Sequence, residues 1–289
     1  TMNLRTFETA ARFLDVAGPV WYADEAENSL PLGIALRVRD GFGYGDEPPL
    51  FACVERDGSL PLIALRTPPY NLLLSARRPD VEALTLLAQH LHSRGVALPG
   101  AQGRPDVVQA FALIWKGLTG TSWIVSMEQR LYRLTRVARP VGIPGRPRLA
   151  EERDVDLLSE WATAFVDEAI PGDPKNEMRP TVERATAGGT LLVWEDGAPV
   201  SMSAQTRSTP HGASVSLVYT PPDLRRRGYA TACVAELSQR ILDSGKSFCT
   251  LFTDLANPTS NAIYQKVGYQ PLCDFREIRF APQDAPAGR

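Results

Sequence analysis

The sequence predicts an α/β (α+β) fold in two halves, each a run of strands followed by amphipathic helices. Three observations predict it. Strand-like runs flank an Asp-Gly turn in each half, at Asp57-Gly58 and at Asp196-Gly197, and such a dipeptide between apolar runs is a strong hairpin signal. Apolar residues at helical spacing follow each hairpin, as in Val81–Ser93 and in Cys233, Val234, Leu237, Ile241 and Leu242. Between the halves, Pro140, Pro144 and Pro147 alternate with Gly142 and Gly145 and disfavour any element running through them.

In chain order, the first half reads as a helix near Phe7–Leu14, strands Leu50–Val54 and Leu60–Leu65, and a strand Asn71–Ser75. Helices Val81–Ser93 and Val107–Leu118 and a strand Trp123–Tyr132 complete it. The second half reads as a strand around Arg148–Ala150, a helix from about Val155 to Glu168, and a loop rich in Pro, Gly and charge from Pro171 to Pro180. Strands Thr190–Trp194, Val200–Arg207 and Ala213–Thr220 follow, then a helix closed by Gly245 and a buried strand Phe248–Thr253. Asn257 and Pro258 open a short helix that Gly268 closes, because an Asn cap, a Pro at the first turn and a Gly beyond the end punctuate a helix. A strand Asp274–Phe280 precedes a Pro- and Gly-rich tail. The expected domains are 1–138, a linker 139–146, 147–281, and a disordered tail 282–289.

Composition is that of an ordinary globular chain: 289 residues, 44% hydrophobic, 22% charged, with a net charge of -2. Without a basic balance, nucleic acid is a poor partner. No apolar run has membrane-spanning length and no leader-like layout is read, so no membrane partner and a cytoplasmic location are the expectations. Cys53, Cys233, Cys249 and Cys273 lie far apart in apolar contexts, and His90, His92 and His211 do not converge. No metal is expected.

The strongest chemical signal is Val218-Tyr219-Thr220-Pro221-Pro222-Asp223-Leu224-Arg225-Arg226-Arg227-Gly228-Tyr229-Ala230-Thr231, a strand running through a basic turn into a helix. A helix start offers backbone N–H groups without intrahelical partners, and the helix dipole favours an anion there. The order Arg225-x-x-Gly228-x-Ala230 resembles the coenzyme A pyrophosphate loop of the GNAT superfamily, the acyl-CoA-dependent N-acetyltransferases; an ordinary surface turn is the alternative for so short a pattern. Asn257…Asn261-x-x-Tyr264-x-x-x-Gly268-Tyr269 resembles the second cofactor and catalytic segment of that family.

The resemblance implies a GNAT fold, a mixed central sheet flanked by helices, and the repeated element order implies that it is duplicated; an unrelated α/β domain is the alternative for the first half. The stretch Ala76-Arg77-Arg78-Pro79-Asp80 has no glycine and puts a Pro where backbone donors belong, so the first half is expected to lack the coenzyme A loop. In the second half, the resemblance implies acetyl-CoA as cosubstrate. Backbone around Val218, Tyr219 and Thr220 would pair with the pantetheine amides, N–H groups from Arg226 to Thr231 would hold the pyrophosphate, and Arg225, Arg226 and Arg227 would supply charge. Arg226→Glu or Gly228→Glu is expected to abolish binding with the fold intact.

Asn257 is a helix cap or a cofactor contact, and Asn261 is packing or capping. Tyr264 matches the general acid that protonates the coenzyme A thiolate, the alternative being a core side chain. A phenol near pKa 10 suits that task for a thiol whose pKa is about 8.5. Five residues before Asn257, where some amine-acetylating relatives carry a Glu base, stands Phe252, which leaves Asp167, Glu168, Asp254 or water. Deprotonating a lysine-like amine at pH 7 costs about 4.6 kcal/mol and an α-amine about 1 kcal/mol, which favours an α-amine acceptor. The expected partners are the amine acceptor and, at most, a second copy: a monomer or homodimer. A binding module that senses acyl-CoA without turnover, or an N-acyltransferase placing a longer acyl group on an amino acid, are the alternatives.

Overall fold

The computed structural model describes residues 1–169 and 177–281. The chain divides into two compact units, the first made of residues 1–130 and 273–289 and the second of residues 131–272. The expected tail 282–289 and most of the expected 171–180 loop lie outside the described residues.

Element order repeats. The first ten elements are β1 (Met2–Thr6), α1 (Ala10–Ala23), α2 (Ser29–Arg39), β2 (Leu50–Arg56), β3 (Ser59–Arg66), β4 (Leu72–Ser75), α3 (Val81–Ser93), β5 (Gly100–Gly103), α4 (Pro105–Thr119) and β6 (Trp123–Leu134). The same sequence of types then recurs as β7 (Arg146–Leu149), α5 (Val155–Ala169), α6 (Arg179–Ala187), β8 (Leu191–Glu195), β9 (Pro199–Ser208), β10 (Gly212–Tyr219), α7 (Tyr229–Asp243), β11 (Phe248–Asp254), α8 (Pro258–Val267) and β12 (Gln270–Phe280). The fold is a duplicated α+β arrangement, as the sequence implied.

In the first unit the strands run in the order β1-β2-β3-β4-β5-β12, antiparallel except for the parallel pair β4 and β5. Its central strands β2 and β3 are apolar on both faces because both faces are covered. Phe51 and Cys53 of β2 pack with Phe13, Trp21 and Leu32 of α1 and α2. The alternating Ala52 and Val54 pack with Leu84, Leu87, Val108 and Phe111 of α3 and α4. Ile278 and Phe280 of β12 are buried in this second cluster.

The second unit has the order β11-β10-β9-β8-β7, again antiparallel except for the parallel pair β10 and β11, with the end of β6 beside β11. Leu191 and Val193 face α5 and α6, where Leu158, Trp161 and Val182 are buried. Leu192 faces the cluster of Cys233, Val234, Leu237 and Ile241 from α7. The 139–146 break lies in this unit, between β6 and β7, and reaches the first residue of β7.

Several elements differ from the sequence reading. α1 continues past Leu14 to Ala23 although Pro19 lies inside it, because Ala17 and Trp21 are fully buried on its inner face. Thr9 caps its start, its hydroxyl accepting from the Arg12 N–H at 3.3 Å. α2 contains Pro31 and Gly33, which masked its period. Pro180 opens α6 instead of lying in a loop, since a Pro is tolerated in the first turn. β5, Gly-Ala-Gln-Gly, carries no strand-like side chains. Its pairing to β4 and β12 requires small residues: a Cβ on Gly103 would meet the Leu74 carbonyl oxygen.

Candidate active site

The site is built from the middle of the second unit. β10 and β11 pair in parallel only at Gly212–Ser214 with Phe248–Thr250, where Ser214 Oγ and Thr250 Oγ1 lie 3.1 Å apart. Beyond that point no register joins the two strands, although β10 runs on to Tyr219 and β11 to Asp254. On its other side, β10 loses register with β9 between Ser216 and Tyr219, and Leu217 takes a φ of 51°. This is a β-bulge, and it reverses the strand's faces. Ala213 and Val215 face the α7 core, whereas Leu217 and Tyr219, still odd-numbered, face the α5 core. Val218 thereby turns to the α7 side, where it packs on the same cluster as Tyr264.

The loop after β10 is internally braced. Thr220 is buried, and its hydroxyl lies 2.9 Å from Ser201 Oγ, which also donates to the Tyr219 carbonyl at 3.1 Å. A single turn of 3-10 helix, Pro222–Leu224, leads into the arginines. Arg225 Nε donates to the Thr220 carbonyl at 2.8 Å, and its guanidinium pairs with Glu168 at 2.8 and 3.1 Å. Arg227 donates to the Asp223 carbonyl at 3.1 Å. Arg226 is exposed, has a φ of 63°, and among the described residues has no partner.

Gly228, at φ 85°, precedes α7, and a Cβ there would collide with the Ile143 side chain. The first intrahelical bond of α7 runs from the Ala232 N–H to the Gly228 carbonyl at 3.0 Å, so the N–H groups of Tyr229, Ala230 and Thr231 have no intrahelical acceptor. No side chain caps this helix start. The Tyr229 side chain is buried and donates to Asp196 Oδ2 at 2.6 Å, which leaves only its backbone to the loop. That carboxylate, with burial, holds the Tyr229 phenol above its ordinary pKa.

Tyr264 lies on α8, half-buried against the α7 cluster, with its ring edge-on to Tyr269 at 6.2 Å. Among the described residues its hydroxyl has no hydrogen-bond partner, and burial pushes its pKa up. Tyr269, just past the end of α8, differs: its hydroxyl lies 2.8 Å from Ser238 Oγ. Asn257 caps α8, its side chain accepting from the Ser260 N–H at 3.1 Å, and it is exposed. Asn261 ties α8 to its surroundings. It accepts from Tyr132 Oη at 2.8 Å and Thr253 Oγ1 at 2.7 Å, and donates to the carbonyls of Asp254 and Asn257.

Val218 and Tyr264 of α8 pack on the α7 cluster, the open N–H groups lie at the start of α7, and the three arginines of the loop differ in role. Arg225 and Arg227 shape the loop, while Arg226 is, among the described residues, the one without a partner. The geometry also changes the expected effect of Gly228→Glu: the Cβ clash and positive φ mean that this substitution disturbs the fold as well as the loop. Glu168 is held by Arg225, and Asp254 Oδ1 accepts from the Ala256 N–H at 2.8 Å, so both carboxylates are occupied; Asp167 is exposed. Sequence reasoning missed the bulge at Leu217, Ser201 and Tyr132. The bulge carries no glycine to mark it, and Ser201 and Tyr132 reach the site through tertiary contacts. Among the described residues no group of three His, Cys, Asp or Glu could hold a metal ion, and no helix is long and apolar enough to cross a membrane.

Residues 195–278 match the FR47-like protein family. No curated protein matches the chain. Among solved structures, a GCN5-related N-acetyltransferase from Sphaerobacter thermophilus is similar over 96% of this chain and 95% of its own, with a TM-score of 0.62 and 16% identity. An acetyltransferase from the GNAT family from Colwellia psychrerythraea is similar over 96% and 98%, with a TM-score of 0.56 and 13% identity. A tandem GNAT protein from the clavulanic acid biosynthesis pathway is similar over 98% and 100%, also with a TM-score of 0.56 and 13% identity. These likenesses show a GNAT fold across both halves, and the FR47-like match falls on the half that holds the bulged strand and the open helix start.

Proposed function

We propose that the second unit is an N-acetyltransferase that moves an acetyl group from acetyl-CoA to a primary amine, with an α-amine of a small molecule or peptide favoured. The observation that carries this reading is the end of β10–β11 pairing at Ser214 and Thr250, followed by a helix start whose N–H groups have no intrahelical acceptor. An unpaired strand stretch suits the addition of an extended, amide-bearing ligand by main-chain hydrogen bonds. A helix N-terminus beside an unpaired arginine suits its phosphates. Acetyl-CoA supplies a thioester carbonyl to the attacking amine.

The chain's own residues do the rest. Val218, Tyr219 and Thr220 offer backbone partners, and Arg226 to Thr231 offer N–H groups and, at Arg226, a cation without a partner among the described residues. Tyr264 holds the proton for the departing thiolate. Its raised pKa keeps the phenol protonated at neutral pH, and no intramolecular hydrogen bond competes for its hydroxyl. Phe252 cannot take the proton of the amine, and Glu168 and Asp254 are engaged, so an acceptor that is already partly neutral near pH 7 fits this site best.

The test is thiol release from acetyl-CoA with glycinamide compared with Nα-acetyl-lysine at pH 7 and equal concentration. Faster release with the α-amine is expected. A preference for the lysine ε-amine would overturn the acceptor, and no release with either amine despite saturable acetyl-CoA binding would count against catalysis.

A further inference from the structure

A cavity of about 340 Å³ lies wholly within the first unit, and none of its lining residues belongs to the proposed acetyl-CoA site. Its size is that of a small-molecule site. It opens where the α1–α2 junction, the loop after β4 and the end of β5 converge, and side-chain hydrogen bonds tie its walls together. Trp21 Nε1 donates to Ser75 Oγ at 2.9 Å, Ser75 donates to Asn28 Oδ1 at 3.0 Å, and Asn28 Nδ2 donates to the Asp24 carbonyl at 3.0 Å.

Four arginines line it, and three are matched. Arg56 meets Asp80 at 2.6 Å, with Glu82 at 2.9 Å; Arg104 meets Glu27 at 2.7 Å; Arg77 meets Asp24. Arg78 is exposed and, among the described residues, has no carboxylate. The remaining wall is largely apolar, including Leu30, Leu60, Ile63 and Leu73.

The backbone here does not repeat the arrangement of the second unit. β4 pairs with β3 without a bulge, through Ile63–Ser75 to Leu65–Leu73, and its pairing with β5 runs to Gly103, the last residue of β5. No strand stretch is left for a pantetheine arm, and Pro79 removes a donor from the loop that follows.

We infer that this cavity binds a small organic monoanion, a carboxylate on a short acyl or aryl body, with Arg78 as its charge partner. A guanidinium fork matches a carboxylate in two parallel hydrogen bonds. Arg78, which has no carboxylate among the described residues, can pair with one negative group, whereas a dianionic phosphate would bring a second charge up to Asp24, Glu27 and Asp80 across the same space. The apolar wall takes the body.

The experiment is calorimetric titration of the full chain with 4-phenylbutanoate and with octanoate, beside the uncharged 4-phenylbutanamide. One acid is expected to saturate at one site per chain, with the amide at least about tenfold weaker, because charge-assisted hydrogen bonds are roughly twice as strong as neutral ones. Arg78→Ala, at an exposed position, is expected to keep the thermal midpoint and weaken the acid by a similar factor. Arg226→Glu, in the second unit, is expected to leave it unchanged. Failure of both acids to saturate, equal binding of acid and amide, or full affinity in Arg78→Ala would overturn the inference. So would displacement of the acid by coenzyme A from the Arg226→Glu chain, which would assign the cavity to coenzyme A.

Discussion

Replacing Tyr264 by Phe separates catalysis from packing, because the two hydroxyls at the end of α8 have opposite surroundings. The Tyr264 hydroxyl has no partner among the described residues, so its removal orphans nothing, and unfolding free energy should stay within about 0.5 kcal/mol of the parent. If it protonates the leaving thiolate, turnover should fall about 10²–10⁴-fold, or roughly 2.7–5.5 kcal/mol in the barrier, with acetyl-CoA affinity unchanged. Tyr269→Phe is the opposite case. Its hydroxyl is bonded to Ser238 inside the core, so its loss should cost about 1–3 kcal/mol of stability and little rate. Urea unfolding, calorimetric acetyl-CoA titration and thiol release on both variants give the six numbers needed. Full turnover of Tyr264→Phe at normal cofactor affinity would refute the acid role. The raised Tyr264 pKa adds a pH check: the phenol is neutral in folded and unfolded states below pH about 10, so neither rate nor stability should change on its account from pH 6 to 9.

Four further outcomes follow from particular contacts. Gly228→Ala should destabilise by about 1–2 kcal/mol from its left-handed backbone alone. It should also weaken acetyl-CoA; urea unfolding of Gly228→Ala with Ile143→Ala should recover the steric part of the loss, and no recovery would show that Ile143 is not the obstacle. Asp154 accepts from Arg148 at 2.6 and 2.9 Å and from the Glu151 N–H at 2.8 Å, and because Arg148 keeps Glu195 at 3.2 Å, Asp154→Ala should cost about 1–3 kcal/mol, the range for lost charge-assisted hydrogen bonds. Arg148 holds the Asp154 carboxyl below its ordinary pKa, so this stability is complete above pH about 3.9 and is lost as pH falls through the lower folded value. Unfolding measured from pH 5 downward should therefore decline less steeply in the variant. Asn257→Ala should lose about 1 kcal/mol of capping. Asn261→Ala, which orphans the Tyr132 and Thr253 hydroxyls, should lose at least about 2 kcal/mol. A fall in acetyl-CoA affinity in Asn257→Ala would identify a cofactor contact beyond the cap.

The parts of the site legible in the sequence are those that local chemistry dictates. Gly228 is needed at a left-handed position before a helix, and Asn257-Pro258 with Gly268 punctuates α8; both signals lie within a few residues of the features they specify. The parts that were not legible depend on distant partners. Nothing within the Val215–Tyr219 stretch marks Leu217 as the bulged residue, and its partners, Trp161 and neighbours in α5, lie far away in sequence. Three consecutive arginines look alike in a sequence, yet Glu168 and two carbonyls take Arg225 and Arg227 and leave Arg226. In the first half, β5 has no side chains to announce a strand, and its identity comes from the two strands that enclose it.

The first unit includes residues from the far end of the chain, and that has a consequence for synthesis. Arg276–Arg279 of β12 pair with Gly100–Gly103 of β5, and Ile278 and Phe280 fill the core beneath α3 and α4. A ribosome that has just finished β5 must add about 170 more residues before this pairing can form, which at 5–20 residues per second takes about 10–35 s. During that interval the earlier part of the unit carries an open edge made of Gly-Ala-Gln-Gly, a stretch with little apolar side chain to recruit a foreign strand. The second unit, closing at residue 272, is complete in sequence first. The half that begins the chain is the last to be finished.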